Sequence, residues 1–145
     1  MAKIERSALV MHSAEDMYKL VKDVASYPQF LPWCDRAHVN EETADSLEAG
    51  MTIKKGGLEQ TFTTRNALNP PHSMSLQLVD GPFDKLDGLF EFQALSDEAC
   101  KVVLTLDFEV KGRILSMTLS PILKQAANTM VDAFVKRADV VYGKK

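Results

Sequence analysis

Residues Pro121–Tyr142 read PILKQAANTMVDAFVKRADVVY, and their pattern decides how the rest of the chain must be arranged. Leu123, Ala126, Ala127, Met130, Phe134, Ala138 and Val141 recur at spacings of three, four and seven, so one face of a helix is apolar. Ser120 before Pro121 suits a helix start, because a serine side chain caps free amides and proline's fixed φ fits the first turn. Gly143 suits a stop. A helix of about 22 residues at 1.5 Å each is a rod of roughly 33 Å, about the diameter of a small domain. Most of what precedes it reads as strand. One long helix beside many strands implies a sheet bent around that helix.

Working back to the start, Ile4 to Val10 alternate as an opening strand. The period changes at Ser13-Ala-Glu-Asp16, a capping-box-like start with acidic residues in the first turn. Met17, Leu20, Val21 and Val24 then form a helical stripe. A second short helix or turn is expected over Tyr27–Leu31, between Pro28 and Pro32, whose restricted backbones would hold Phe30 and Trp33 in place. Six strands are expected at Arg36–Glu42, Leu47–Lys55, Leu58–Leu68, Ser73–Val79, Lys85–Leu95 and Lys101–Glu109. Their intervening turns are rich in Gly, Pro, Asn and Asp, and a spacing of about ten residues favours an antiparallel meander. The expected architecture is α+β: one domain over 1–145, with about seven antiparallel strands curved around the C-terminal helix and two short helices after the first strand. The small Ala126, Ala127 and Ala138 and the adaptable Met130 leave room for a gap between helix and sheet, although the same residues would serve a packed core.

Composition narrows the function. The chain has 145 residues, 46% hydrophobic and 26% charged, as an ordinary soluble globule does. No apolar run approaches the roughly 18 residues of a membrane span, so an integral membrane protein is not expected. The charged start carries no signal-like apolar segment, and Cys34 and Cys100 lack metal spacing, which fits two thiols in a reducing cytoplasm. The net charge of −3 argues against a general nucleic-acid or DNA binder. Its distribution is uneven: residues 111–145 hold seven Lys and Arg against two Asp, a balance of +5, leaving −8 for residues 1–110. This basic segment reads either as a solvated helix face or as a docking surface for a phosphate-rich partner.

No catalytic or metal constellation stands out. His12, His38 and His72 share no ligand spacing. Cys34 and His38 are four apart, which on a strand separates them by about 13 Å, beyond proton-transfer reach. Gly56-Gly57 and Asp80-Gly81-Pro82 are turns without phosphate-loop spacing, and Asp80 and Asp84 are most simply solvated. Arg65, in mid-strand, is the polar residue to single out, either paired with a carboxylate such as Asp80 or reaching a ligand's head. An apolar gap with few polar groups is what a lipophilic ligand requires.

The strings Tyr27-Pro28-x-Phe30-Leu31-Pro32-Trp33-Cys34, Phe62-Thr63-Thr64-Arg65-Asn66, Asp80-Gly81-Pro82-Phe83, Leu86-x-Gly88-x-Phe90-x-Phe92 and Ala133-Phe134-x-x-Arg137-Ala138 occur in that order. On these motifs the whole chain resembles the START-like, helix-grip (SRPBCC) proteins of the polyketide cyclase and coenzyme Q-binding group. Within that group it is similar to the bacterial RatA-type ribosome association toxins. The family usually has Trp where this chain has Phe90, which removes an indole N–H donor. The resemblance implies a hydrophobic tunnel between sheet and helix, walled here by Phe30, Trp33, Phe62, Phe90, Phe92, Met130 and Phe134, with Arg65 at a head group. It further implies a non-enzymatic regulator that binds the large (50S) ribosomal subunit and blocks 70S association, with Lys124, Lys136, Arg137, Lys144 and Lys145 as the contacts. The alternative implied is a binder of ubiquinone or another isoprenoid lipid that supports respiration; a cyclase-like enzyme is a third. No cofactor is required on the first reading, and no metal on any.

Overall fold

A computed structural model describes residues 2–143 and places ten elements in chain order. These are β1 (Ala2–Val10), α1 (Ala14–Lys22), a 3-10 helix (Val24–Gln29), β2 (Cys34–Glu42), β3 (Ser46–Lys55), β4 (Leu58–Asn69), β5 (Ser73–Asp80), β6 (Phe83–Ser96), β7 (Ala99–Val110) and α2 (Arg113–Tyr142). All seven strands join one antiparallel sheet in the order β1-β7-β6-β5-β4-β3-β2. The consecutive strands β2 to β7 form a meander, and β1 closes it by pairing with β7, as in Val10 opposite Cys100. Irregular register in β2, β5 and β6 bends the strands, since an inserted residue increases local twist. The curved sheet holds α2 on its inner face, which is the expected helix-grip architecture.

The caps follow from sequence. The Ser13 side chain accepts from the Asp16 amide at 3.0 Å and starts α1. Tyr27 lies within the 3-10 helix, which begins at Val24 rather than Tyr27 and carries Pro28 inside it. The larger correction concerns α2, which begins at Arg113 rather than Pro121. Gly112, with φ 84°, supplies the left-handed turn out of β7 that only glycine adopts freely. Pro121 therefore sits inside the helix, where it removes a bond to the carbonyl of Met117. Both residues are exposed, so water can satisfy that carbonyl. Thirty residues make α2 about 45 Å long.

Two apolar clusters fill the space between sheet and helices. The larger gathers Met17, Val21, Tyr27, Phe90, Phe92 and Phe134 with their neighbours; the smaller gathers Ile53, Phe83, Leu86, Phe108, Leu119 and Leu123. Trp33, half-buried, packs against both.

Candidate functional site: an apolar cavity under the C-terminal helix

The two clusters do not close completely. A cavity of about 90 Å³ lies where they meet, lined by side chains from both and by α2. Strand alternation positions its walls: Phe62 and Thr64 point inward from β4, Leu86 and Phe90 from β6, and Leu104 from β7. From α2 come Leu123, Ala126, Ala127 and Met130, one turn apart on one face. Gly88 lies in the same inward series as Leu86 and Phe90. A Cβ there would sit 3.1 Å from a Leu76 methyl and 3.3 Å from a Leu106 methyl, so the missing side chain leaves these two cavity-lining residues their space.

Of the residues expected at a tunnel, Trp33, Phe62, Phe90 and Met130 border the cavity. Phe134 and Phe92 do not line it. Phe134 is wholly buried with its ring edge-on to Tyr27, Phe30 and Phe90, and Phe92 stacks on Phe90 and meets Tyr18 edge-on. Phe30 lies nearer the surface, under the Arg137 guanidinium at 5.2 Å. Of the two readings of Arg65, the pairing with a carboxylate holds, with a different partner, and the head-group role is corrected. Alternation that turns Thr64 and Asn66 inward turns Arg65 to the outer face, where it donates to Glu48 on β3 at 2.9 Å, not to Asp80 or into the cavity. Sequence reading missed Tyr27, Ile53, Thr64, Phe83, Leu86 and Leu104 as walls; parity along the strands points to Ile53, Thr64, Leu86 and Leu104, whereas Phe83 is brought into phase with Leu86 by the irregular register between Phe83 and Lys85.

The cavity's chemistry is apolar. Its two hydroxyls are already committed: Tyr27 donates to the Val21 carbonyl and Thr64 donates to Asn66 Oδ1 at 2.8 Å. Among the described residues, the fully buried side-chain polar atoms without a partner belong to His12, Tyr18 and Asp107, none of which lines it. Burial drives the Tyr27 phenol far above its ordinary pKa, with Cys34 and Asp23 adding to the effect. Burial likewise raises the Cys34 thiol to about 11, aided by Asp35, and the Cys100 thiol to about 11, so both stay protonated near neutrality. Among the described residues no cluster of three His, Cys, Asp or Glu could hold a metal ion. Such a cavity can select by size and apolarity; it offers no group that titrates near neutral pH.

The basic candidates of α2 do not share one face, and Arg137, seven residues beyond Met130, lies on the inward side. Lys124 and Lys136 are exposed, while Arg137 is half-buried, donating to Gln29 Oε1 at 2.7 Å besides stacking on Phe30. Lys144 and Lys145 lie outside the described residues. Sequence reading gave no role to His12, which is 1% exposed and donates from Nε2 to Asp139 Oδ1 at 2.8 Å, tying the end of α2 to the β1–α1 turn. No described helix is long and apolar enough to cross a membrane.

A curved antiparallel sheet gripping a long helix over an apolar cavity defines a START-like protein. The chain belongs to the family described as polyketide cyclase / dehydrase and lipid transport, which matches residues 10–135. More particularly, it is 48% identical over 97% of both chains to the ribosome association toxin RatA of Pseudomonas aeruginosa. It is 27% identical to the mitochondrial coenzyme Q-binding protein COQ10 homolog B of Xenopus laevis, over 96% of this chain and 59% of that one. Among solved structures, the Zhui aromatase/cyclase of Streptomyces superposes with a TM-score of 0.83 at 18% identity, covering 95% of this chain and 93% of that one, which shows a shared fold.

Proposed function

We propose that the protein is a RatA-like regulator that binds the large ribosomal subunit and hinders its joining to the small one, without catalysing a reaction. The observation that carries this reading is the near-full-length identity of 48% to a protein named for ribosome association. Two features of this chain support it. The C-terminal segment holds a balance of +5 against −8 elsewhere, and Lys124 and Lys136 project from α2 into solvent. The interior supports the non-enzymatic part, since the cavity walls carry committed hydroxyls and apolar side chains rather than an acid/base pair. Contacts to ribosomal RNA would weaken steeply with salt, because each neutralised phosphate releases counterions.

Pelleting the purified chain with isolated 30S and 50S subunits tests the reading. Recovery with 50S at low salt, falling as salt rises, is expected. Recovery with neither subunit would remove it.

The second reading, an isoprenoid quinone in the cavity, is favoured by the coenzyme Q-binding relative and by the apolar lining. Size tells against a ring lodging there without movement: the cavity is about 90 Å³, whereas about 150 Å³ accommodates benzene. A quinone would need the wall at Trp33 to open. Uptake of a short-chain ubiquinone, followed by native mass spectrometry, distinguishes the cases.

A further inference from the structure

Two of the sequence strings meet at a groove outside the apolar cavity. Phe30, Pro32 and Trp33 of the first string line one wall, and Ala133, Lys136 and Arg137 of α2 line the other. The groove holds about 540 Å³, within the roughly 300–1,000 Å³ of ordinary ligand sites. Arg137 is its central side chain. The guanidinium lies over the Phe30 ring, 5.2 Å from the centroid, and donates to the neutral Gln29 amide oxygen at 2.7 Å. A second pocket of about 390 Å³ adjoins the groove and shares Pro32, Trp33 and Thr129 with it. Lys55 lines this extension and donates to Gln125 Oε1 at 3.2 Å. Gln125 stands three helical turns from Lys136, about 17 Å at 1.5 Å per residue. Lys55, Lys136 and Arg137 thus face the joined groove against a single lining carboxylate, Asp132. Among the described residues no carboxylate lies within 4.0 Å of any of these three cations.

We propose that this groove takes an unpaired stretch of ribosomal RNA, with a base laid against the Arg137 guanidinium and the Trp33 indole and flanking phosphates on Lys136 and Lys55. The inference rests on the ribosome reading for its partner and names the part of the surface that makes the contact. Single-stranded RNA is recognised by bases splayed onto aromatic rings and guanidinium planes while basic side chains track the backbone. The groove supplies both elements: a planar cation backed by a ring, and further cations at each end. A duplex keeps its base faces in the stack and has none to offer. The chain's net charge of −3 gives no general attraction to polyanions, so the local excess of cations decides where one docks. An acidic segment of a protein partner would use the same cations but not the stacking faces, which is the difference the test reads.

Trp33 is the sole tryptophan of the chain, so its fluorescence reports on the groove. The probes are hexauridylate, an abasic strand of equal length, hexaglutamate and a short blunt RNA duplex. Hexauridylate is expected to quench Trp33 saturably at low salt and to bind about tenfold tighter than the abasic strand, as one stacked base provides. Hexaglutamate and the duplex should bind about tenfold more weakly than hexauridylate as well. Arg137→Lys keeps the charge and loses the planar face, so the advantage over the abasic strand should shrink to about twofold. Lys136→Gln, at an exposed position, should weaken both strands alike and lower the slope of log affinity against log salt by about 0.7, one phosphate contact. Arg65→Gln, which removes a cation from the outer face of the sheet, should change neither quantity. Urea unfolding checks each variant, and if Arg137→Lys loses its transition, the probe comparison and Lys136→Gln carry the test. The proposal is overturned by an absent or unsaturable quench, by equal affinity for any of the other three probes, by an undiminished advantage in Arg137→Lys, or by an unchanged salt slope in Lys136→Gln. No ribosome enters this experiment. Pelleting with 50S by a protein that ignores hexauridylate removes the groove alone, whereas hexauridylate binding without pelleting removes the ribosome reading and leaves a site for single-stranded RNA.

Discussion

Truncating Phe134 to alanine separates core from cavity on the inward face of α2. The ring is 0% exposed and meets Tyr27, Phe30 and Phe90 at centroid distances of 5.4, 5.5 and 5.8 Å, all steeply inclined. Removing a fully buried phenylalanine costs about 3–5 kcal/mol, combining lost transfer free energy with the void left behind. Edge-on aromatic pairs contribute about 0.5–1.5 kcal/mol each beyond burial, so the upper part of that range, about 4–5 kcal/mol, is expected here. Against a total stability of about 5–15 kcal/mol, that is a third or more. With a urea slope of roughly 2 kcal/mol per molar, the unfolding midpoint should fall by about 2 M. Phe134→Leu, which keeps most of the volume, should lose less than half as much. Equilibrium urea unfolding followed by circular dichroism is the assay. A loss below about 2 kcal/mol for the alanine variant would refute the packing described, because it would mean the ring already faced empty space, as the wall of an open tunnel would.

Three further outcomes are expected. Arg65→Ala should change stability by less than about 1 kcal/mol and leave the uptake of short-chain ubiquinone as it is in the unchanged chain, since its pair with Glu48 lies on the outer face; an uptake lost only in the variant would return Arg65 to the head-group role. Asp139→Asn should destabilise the chain by about 1–3 kcal/mol in urea, because it weakens the bond that His12 makes inside the protein; an unchanged midpoint would show that the contact does not hold the end of α2. Cys34 and Cys100, raised to about 11, should resist iodoacetamide at pH 8, react faster as pH rises toward 11, and label rapidly in urea; fast native labelling at pH 8 would contradict their burial.

The sheet was legible where period-two alternation is clean, as in β7, whose Val102, Leu104 and Phe108 are buried as their spacing requires, and where turn residues bound the other strands. The start of α2 was not, because Ile114 and Met117 are apolar yet 84% and 75% exposed, so the first two turns carry no amphipathic contrast. Pro121 then read as a first-turn residue, whereas an exposed mid-helix proline is tolerated where water can reach the freed carbonyl. Arg65 and Phe62 were both expected at the ligand, but they stand three residues apart on one strand, and parity sends them to opposite faces. Phe134 shares a helix face with Met130 and Ala127, and only the fold reveals that the aromatic cluster closes around it while the gap opens one turn earlier. His12 gave no signal because its partner lies 127 residues away on an element that touches it only after folding.

Subunit joining, followed by light scattering after small and large ribosomal subunits are mixed at fixed magnesium, tests the proposed function most directly. Preincubating the large subunit with a molar excess of the protein should suppress the rise in scattering. A variant carrying Lys124→Glu and Lys136→Glu, both exposed on α2, should suppress it less while keeping the unfolding free energy of the unchanged chain within about 0.5 kcal/mol in urea. A full, unslowed rise in scattering at low salt with excess protein would contradict the account.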